Sequence, residues 1–321
     1  MIKFSRRDVV VSGGAAAAVF GLDRPVAFVG SPLAQESGAA KGFHRFKLGE
    51  VEVTTVYDGI WEKPHDPEFI KNASVEETKA ALRAAGLPEA HVPIPFTVTV
   101  LKSGGRTIMF DSGTGGQLAP TAGKLAGNMK AAGIDASAID TILVTHFHPD
   151  HIFGLMAKDT NEQVYPKAQI VVPAVEYKWW TDQAVFAQLP EARHGLAKRI
   201  QATFPNWKNV TQVEGEKEVA PGIRAVPSHG HTAGHTVYLV GSGGDQLVNL
   251  ADTSNIPALF VRNPGWHAAF DADPVQAEAN RRKWFDRVVA DRVVVVGYHF
   301  GMPGAGRIEK DGAGYAFVPM T

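Results

Sequence analysis

Between positions 146 and 151 the chain reads His-Phe-His-Pro-Asp-His, placing three imidazoles and one carboxylate within six residues. Imidazole and carboxylate are strong ligands for divalent metals. Cysteine, the other common ligand, is absent from all 321 residues, which also excludes disulfides and thiolate nucleophiles. In extended backbone, residues two apart face the same side, so His146 and His148 can converge on one ion. A turn at Pro149 then swings Asp150 and His151 toward a second. The same chemistry recurs downstream in Ser228-His229-Gly230-His231-Thr232-Ala233-Gly234-His235-Thr236, in Asp252 at the end of the apolar run 247–251, and in His299 within Gly297-Tyr298-His299-Phe300-Gly301. A run of solvated loop histidines would not predict that recurrence. The 146–151 cluster and these downstream histidines and aspartate are therefore candidate ligands for two divalent ions. Zinc is the first choice; manganese, iron and cobalt accept the same donors.

A metal pair with neither thiolate ligands nor a redox-cofactor motif is suited to hydrolysis, because a water shared by two ions is acidified to a pKa of about 7 and becomes a hydroxide nucleophile. One ion would polarise a carbonyl or phosphoryl oxygen while the other accepts the leaving oxygen. Asp150, close to that hydroxide, could carry the proton, and Asp150 and Asp252 are the candidate catalytic carboxylates. No Gly-x-Ser-x-Gly elbow offers a serine alternative.

Such ligands must be positioned by rigid elements. The run 138–145 reads as a buried strand ending directly before the histidine cluster, and 292–296 as another ending just before His299. Apolar and polar residues alternate over 45–57 around Gly49 and over 96–110 around Ser103-Gly104-Gly105, which predicts two hairpins. Residues 74–85 and 117–132, stopping at Gly86 and Gly133, read as helices. No second linker or low-complexity tract interrupts the chain after Phe43, so residues 41–321 are expected to form one domain. Residues 1–40 read differently. Ser5-Arg6-Arg7 precedes a short apolar run to Leu22 and a small-residue stretch, which resembles a twin-arginine export signal and linker and predicts a periplasmic or secreted product. Thirty-two basic against thirty-three acidic residues give a net charge of −1, so a small molecule is the expected partner rather than nucleic acid, and no stable membrane insertion is expected.

With its H-x-H-x-D-H signature at His146 to His151 and its G-H-T-x-G-H-T block at Gly230 to Thr236, the chain resembles the metallo-β-lactamase superfamily. That resemblance implies an α/β fold, an αββα sandwich of two mostly antiparallel sheets flanked by helices. It also implies that His146, His148 and His231 hold one metal, that Asp150, His151 and His299 hold the other, and that Asp252 bridges them. Asp111 and His235 would orient ligands. Within the superfamily the nearest likeness is to methyl parathion hydrolase and its lactonase and arylesterase relatives. It is carried by Asp111-Ser112-Gly113-Thr114-Gly115, Lys130-Ala131-Ala132-Gly133, Pro227-Ser228-His229-Gly230-His231 and Pro303-Gly304-Ala305-Gly306-Arg307-Ile308. This implies cleavage of an uncharged ester, lactone or organophosphate triester, and it admits a homodimer.

Two departures bear on the substrate. Asn255 stands where acyl homoserine lactonases of the superfamily place a tyrosine, and Asp252 is a carboxylate where many of its β-lactamases have none. The alternatives are a β-lactamase or another hydrolase of this fold, acting on thioesters or phosphodiesters, and a non-catalytic exported metal-binding protein, whose sign would be a missing ligand. Candidate pocket walls are Trp180, Asn255, Phe260, Trp266 and Phe300. Trp179 and Trp180 are adjacent and must diverge, and the resemblance favours Trp180 as the one lining the site.

Overall fold

The computed structural model describes residues 41–321; the export signal expected over 1–40 lies outside the described residues. Both expected hairpins form. β1 (Phe43–Leu48) pairs antiparallel with β2 (Val51–Lys63), and after α1 (Val75–Ala84) come β3 (Val92–Ser103) and β4 (Arg106–Phe110), also antiparallel. Ser74 caps α1 in a reciprocal box, its hydroxyl accepting from the Glu77 amide while the Glu77 carboxylate accepts from the Ser74 amide.

The helix expected over 117–132 is shorter, with α2 covering only Leu125–Ala131. Pro120 interrupts the pattern, and Gly116 and Gly123 both have positive φ, with a Cβ on Gly123 falling 2.5 Å from the Gly116 Cα. That stretch folds instead against β2. The Lys124 amide donates to the Asp58 carbonyl, and the Leu125 amide to the buried Asp58 carboxylate. Three parallel strands follow, β5 (Thr141–Leu143), β6 (Gln169–Pro173) and β7 (Val210–Val213), with α3 (Pro149–Ile152), α4 (Ala174–Thr181), α5 (Gln183–Phe186) and α6 (Glu191–Thr203) in the connections. The second half contributes β8 (Lys217–Ala220), β9 (Ile223–Pro227), β10 (Thr236–Ser242), β11 (Asp245–Asn249), α7 (Pro274–Asp291), β12 (Val294–Val296), β13 (Ala305–Asp311) and β14 (Gly314–Pro319).

The strands form two seven-stranded sheets, ordered β1 to β7 and β14 back to β8. Val53, Leu101, Phe110 and Leu143 of the first sheet meet Tyr238, Val240, Leu247 and Val296 of the second in an apolar interlayer. The outer face of the first sheet is covered by α1, α2, α4 and α6, with Leu82, Met129, Trp180 and Ile200 in its core. On the outer face of the second, Trp284, Phe285 and Val288 of α7 pack on Val237, Val248 and Val295. Burying each of these side chains contributes roughly 1.5–3 kcal/mol. The result is the expected αββα sandwich. Among the described residues no helix is long and apolar enough to cross a membrane.

Candidate metal centre

The candidate ligands come from loops at the ends of strands in both sheets. β5 stops at Leu143, the Val144 amide still donates to the Val171 carbonyl of β6, and His148 is the residue before α3, whose first turn carries Asp150 and His151. From the second sheet come His231, between β9 and β10, Asp252, in a 3₁₀ turn after β11, and His299, after β12. The two sets are stitched together by the Thr236 amide donating to the Thr145 carbonyl and the Tyr238 hydroxyl to the Val144 carbonyl.

Two donor groups result. In one, His146 Nε2 lies 3.0 Å from His148 Nδ1, which lies 2.9 Å from His231 Nε2, which in turn lies 3.3 Å from Asp252 Oδ2. In the other, Asp150 Oδ2 is 3.4 Å from both His151 Nε2 and His299 Nε2. Asp252 touches both groups, with Oδ2 3.1 Å from His299 Nε2 and Oδ1 3.3 Å from His151 Nε2. The two groups contain all seven candidate ligands.

The remaining ring nitrogens explain the orientation. His151 Nδ1 faces Asp111 Oδ2 at 2.8 Å, His231 Nδ1 faces Asp271 Oδ1 at 2.8 Å, His299 Nδ1 faces the Pro95 carbonyl at 2.8 Å, and His146 Nδ1 faces the Thr145 hydroxyl at 3.0 Å. With Nδ1 committed to donation, Nε2 of His151, His231 and His299 is left as the acceptor pointing into the centre. His148 alone presents Nδ1.

Whether this donor set fits metal ions can be tested on the atoms themselves. His151 Nε2 and Asp252 Oδ1 are buried with no hydrogen-bond partner, and three ring nitrogens of the first group meet at hydrogen-bond distance, a costly arrangement unless a cation sits among them. Burial, reinforced by neighbouring imidazoles, holds His146 and His148 well below the ordinary histidine range, leaving them as neutral ligands. Burial would likewise lower His151, but the carboxylates of Asp150, Asp252 and Asp111 outweigh it and raise the ring well above its usual value. Burial would raise Asp252, yet His299 and His151 pull it well below the carboxylate range. Negative charge is thus matched only by protons on buried rings, the role a divalent ion takes over. Nitrogen and oxygen donors, with no sulfur, fit zinc and its first-row neighbours.

His235 is not a ligand candidate here. Its Nδ1 donates to the Ser228 carbonyl at 3.0 Å and its Nε2 accepts the Asp252 amide at 3.1 Å, so the ring positions Asp252 with both nitrogens engaged. Burial lowers it to about 3. Asp111, at φ 59°, anchors both His151 and the Thr145 amide. His229 belongs to neither donor group.

Sequence reasoning missed three residues. Glu176 of α4 is fully buried; its Oε1 accepts from the Phe147 amide and Trp180 Nε1, and its Oε2 from the Thr232 hydroxyl and Gly234 amide. It thereby clamps the 146–151 loop to the 230–236 loop, and Gly234 is required there because a Cβ would fall 2.2 Å from the Glu176 nitrogen. Asp271 holds His231, and Arg281 of α7 holds Asp271. None of the three sits in a recognisable ligand spacing; the signal was a lone carboxylate in an apolar helix and a lone arginine on the buried side of another.

The pocket expectations need correction at two positions. Trp180 is 1% exposed, its indole turned into the core onto Glu176, because of the two adjacent tryptophans it is the inward one on α4. Phe260 is also sealed in the core, against Phe69 and under the Arg281 guanidinium. Asn255 is buried, its side chain accepting the Ile256 amide. Trp266 is half-buried against the aromatic core, and Phe300 lines, with His299, Pro95, Ile256 and Pro257, a mainly apolar cleft of about 990 Å³.

The chain is similar in fold to AidC, a dizinc quorum-quenching lactonase solved in complex with a product, at 24% identity with a TM-score of 0.81 over 87% of this chain and 98% of that one. It is also similar to the hydrolase AbOPH of the beta lactamase superfamily, again 24% identical, with a TM-score of 0.80 over the same shares. A metal-dependent hydrolase from Staphylococcus aureus, described as probable, aligns at 20% identity and a TM-score of 0.69, over 86% of this chain and all of that one. A curated Ribonuclease Z from Agathobacter rectalis is 42% identical over 67 residues, 20% of this chain and 19% of that protein's length. The family model of the metallo-beta-lactamase superfamily matches residues 91–299, from the edge of β3 to the last candidate ligand, and on that match the chain belongs to the metallo-beta-lactamase superfamily.

Proposed function

We propose that this metal-dependent hydrolase holds two divalent ions, zinc first among them, and cleaves an uncharged ester, with lactones and aryl esters as the leading substrates and organophosphate triesters next. The observation that carries the reading is the pair of buried atoms His151 Nε2 and Asp252 Oδ1, neither of them hydrogen-bonded and left in a bare ion contact at 3.3 Å where the two donor groups meet. His146, His148 and His231 would hold one ion, Asp150, His151 and His299 the other, with Asp252 between them. Bound ions would supply Lewis acidity toward the substrate oxygen and a water acidic enough to react near neutral pH.

The chain's own residues supply the rest. Asp150 and His148 are the ligands only partly buried, so substrate approaches from their side. The Asp150 backbone carbonyl accepts from the Tyr298 hydroxyl at 2.6 Å, which fixes the loop while leaving the carboxylate free to take a proton from the attacking water and return it to the leaving oxygen. The mainly apolar cleft beside His299 and Phe300 suits an apolar acyl or aryl group, and the one cation in its lining, Arg262, is paired with Asp311. The lactonase named among the similar folds supports ring esters, and the motif blocks shared with methyl parathion hydrolase support aryl phosphotriesters. Asn255, where acyl homoserine lactonases carry tyrosine, favours other lactones. Arg6-Arg7 and the following apolar run support export before action.

The test is hydrolysis by the purified, metal-quantified protein of an aryl ester, an aryl lactone, an acyl homoserine lactone, a dialkyl aryl phosphotriester and a β-lactam, each with a chelator control. Chelator-sensitive turnover of the first two supports the reading. Turnover confined to the β-lactam, or protein that binds no metal, overturns it.

A further inference from the structure

One buried cation in this protein has no charge to neutralise at the surface and contacts no candidate ligand directly. Arg281, on the inner face of α7, is 2% exposed. Its Nε donates to the Thr253 carbonyl at 3.0 Å, its Nη1 to the carbonyls of Pro264 and Trp266 at 2.9 and 2.8 Å, and its Nη2 to Asp271 Oδ2 at 3.2 Å. The other oxygen of Asp271 receives His231 Nδ1. Thr253 directly follows Asp252, so one guanidinium grips the backbone beside one candidate ligand and the carboxylate that orients another. His231 and Asp252 belong to the same donor group. The backbone repeats the connection, with the Ala272 amide donating to the His231 carbonyl and the Asp273 amide to the Gly230 carbonyl.

We infer that Arg281 is a positioning residue for the first ion: through Asp271 it sets the aim of His231, which serves that ion alone, and so the affinity of the His146, His148, His231 and Asp252 group in preference to that of Asp150, His151 and His299. The inference rests on the two-ion reading above. A guanidinium is suited to the task because its planar fork can donate to several fixed acceptors at once, which an ammonium on a flexible stem cannot do in the same geometry. Partners that orient a ligand from behind are worth about 10–100-fold in metal affinity. The backbone from Pro264 to Trp266 hangs on the same guanidinium.

The experiment is a competition titration of the metal-stripped full chain with Zn²⁺ against a chromogenic chelator, resolving two dissociation constants, on wild type, Arg281→Met, Arg281→Lys, Asp271→Asn and the Arg281→Met/Asp271→Asn pair. Expected is a loss of about 10–100-fold in one constant for each single variant, the other constant holding within a few-fold. The pair should be no weaker than the worse single, because both act along one path. Unchanged constants alongside a lower melting temperature of the metal-free protein would make Arg281 a core residue only and overturn the inference. Multiplicative losses in the pair would overturn the route through Asp271. Wild type that takes up no zinc would instead overturn the two-ion reading itself. If Arg281→Met fails to fold, Arg281→Lys and Asp271→Asn report the same two quantities.

Discussion

Replacing Glu176 by glutamine tests how the two ligand-bearing loops are held together. The carboxylate accepts four hydrogen bonds at 2.7–3.0 Å, two on each oxygen, and each oxygen serves one backbone amide. A glutamine amide of the same shape turns an NH₂ toward one pair whichever way it flips. It leaves the Phe147 or the Gly234 amide without an acceptor, together with the tryptophan indole or a hydroxyl that must rotate. One or two orphaned buried donors at about 1–3 kcal/mol each, with the lost charge assistance, give about 2–5 kcal/mol. At about 2–4 °C per kcal/mol for a domain near this size, the melting temperature should fall by roughly 4–20 °C. Scanning calorimetry on metal-free protein reads that shift directly, and zinc titration of the same sample should show weaker binding, since Phe147 lies between His146 and His148 and Gly234 closes the loop carrying His231. A melting temperature within about 2 °C of wild type would refute the clamp.

Asp252→Ala removes the one carboxylate shared by both donor groups; bound metal measured by emission spectroscopy should drop from about two ions to about one, with ester turnover lost, and full occupancy would remove the bridging role. Burial lowers His235 from 6.5 to about 3, so below pH 6.5 the unfolded chain takes up a proton that the native ring refuses, and stability falls as pH drops. Raised His151 and His299 are protonated in both states in that window and add no slope. His235→Gln should therefore flatten the acid side of a urea-midpoint profile of metal-free protein by about 1.4 kcal/mol per pH unit, and an unchanged slope would reject the assignment. Converting Arg6 and Arg7 together to lysine should leave uncleaved precursor in the cytoplasm on fractionation; normal export of that variant would discard the signal reading.

The clustering of the seven candidate ligands was legible because metal chemistry constrains residue type and spacing together: three His and one Asp in six positions follow directly on an apolar strand. The two hairpins and α1 were legible for a similar reason, since turn glycines and the stop at Gly86 act locally. The 117–132 segment was misread because its Gly133 stop suits a helix end, while its actual shape is set by Asp58, 67 residues before Leu125, and by two glycines in close contact. Trp180 and Phe260 were misplaced because an aromatic side chain near a motif can face either the site or the core, and only packing decides. Glu176, Asp271 and Arg281 were overlooked because the groups that give them their roles lie far off in sequence: the loop groups held by Glu176 29 to 58 residues away, the His231 held by Asp271 40, and the partners of Arg281 10 to 28.

Because the ligands divide between the ends of the two sheets, with His146 to His151 on one and His231, Asp252 and His299 on the other, ions held among them would act as rivets through the sandwich. Without them the layers are joined at this edge by a few hydrogen bonds and the apolar interlayer alone. Each ion that binds only the closed arrangement would add RT ln(1 + [M]/Kd), about 4 kcal/mol at a thousandfold excess over Kd. Metal supply would then govern cooperativity as well as turnover. The loaded protein should open as one unit, whereas the stripped protein should let the strands bearing the second set of ligands exchange their amides before the first sheet yields.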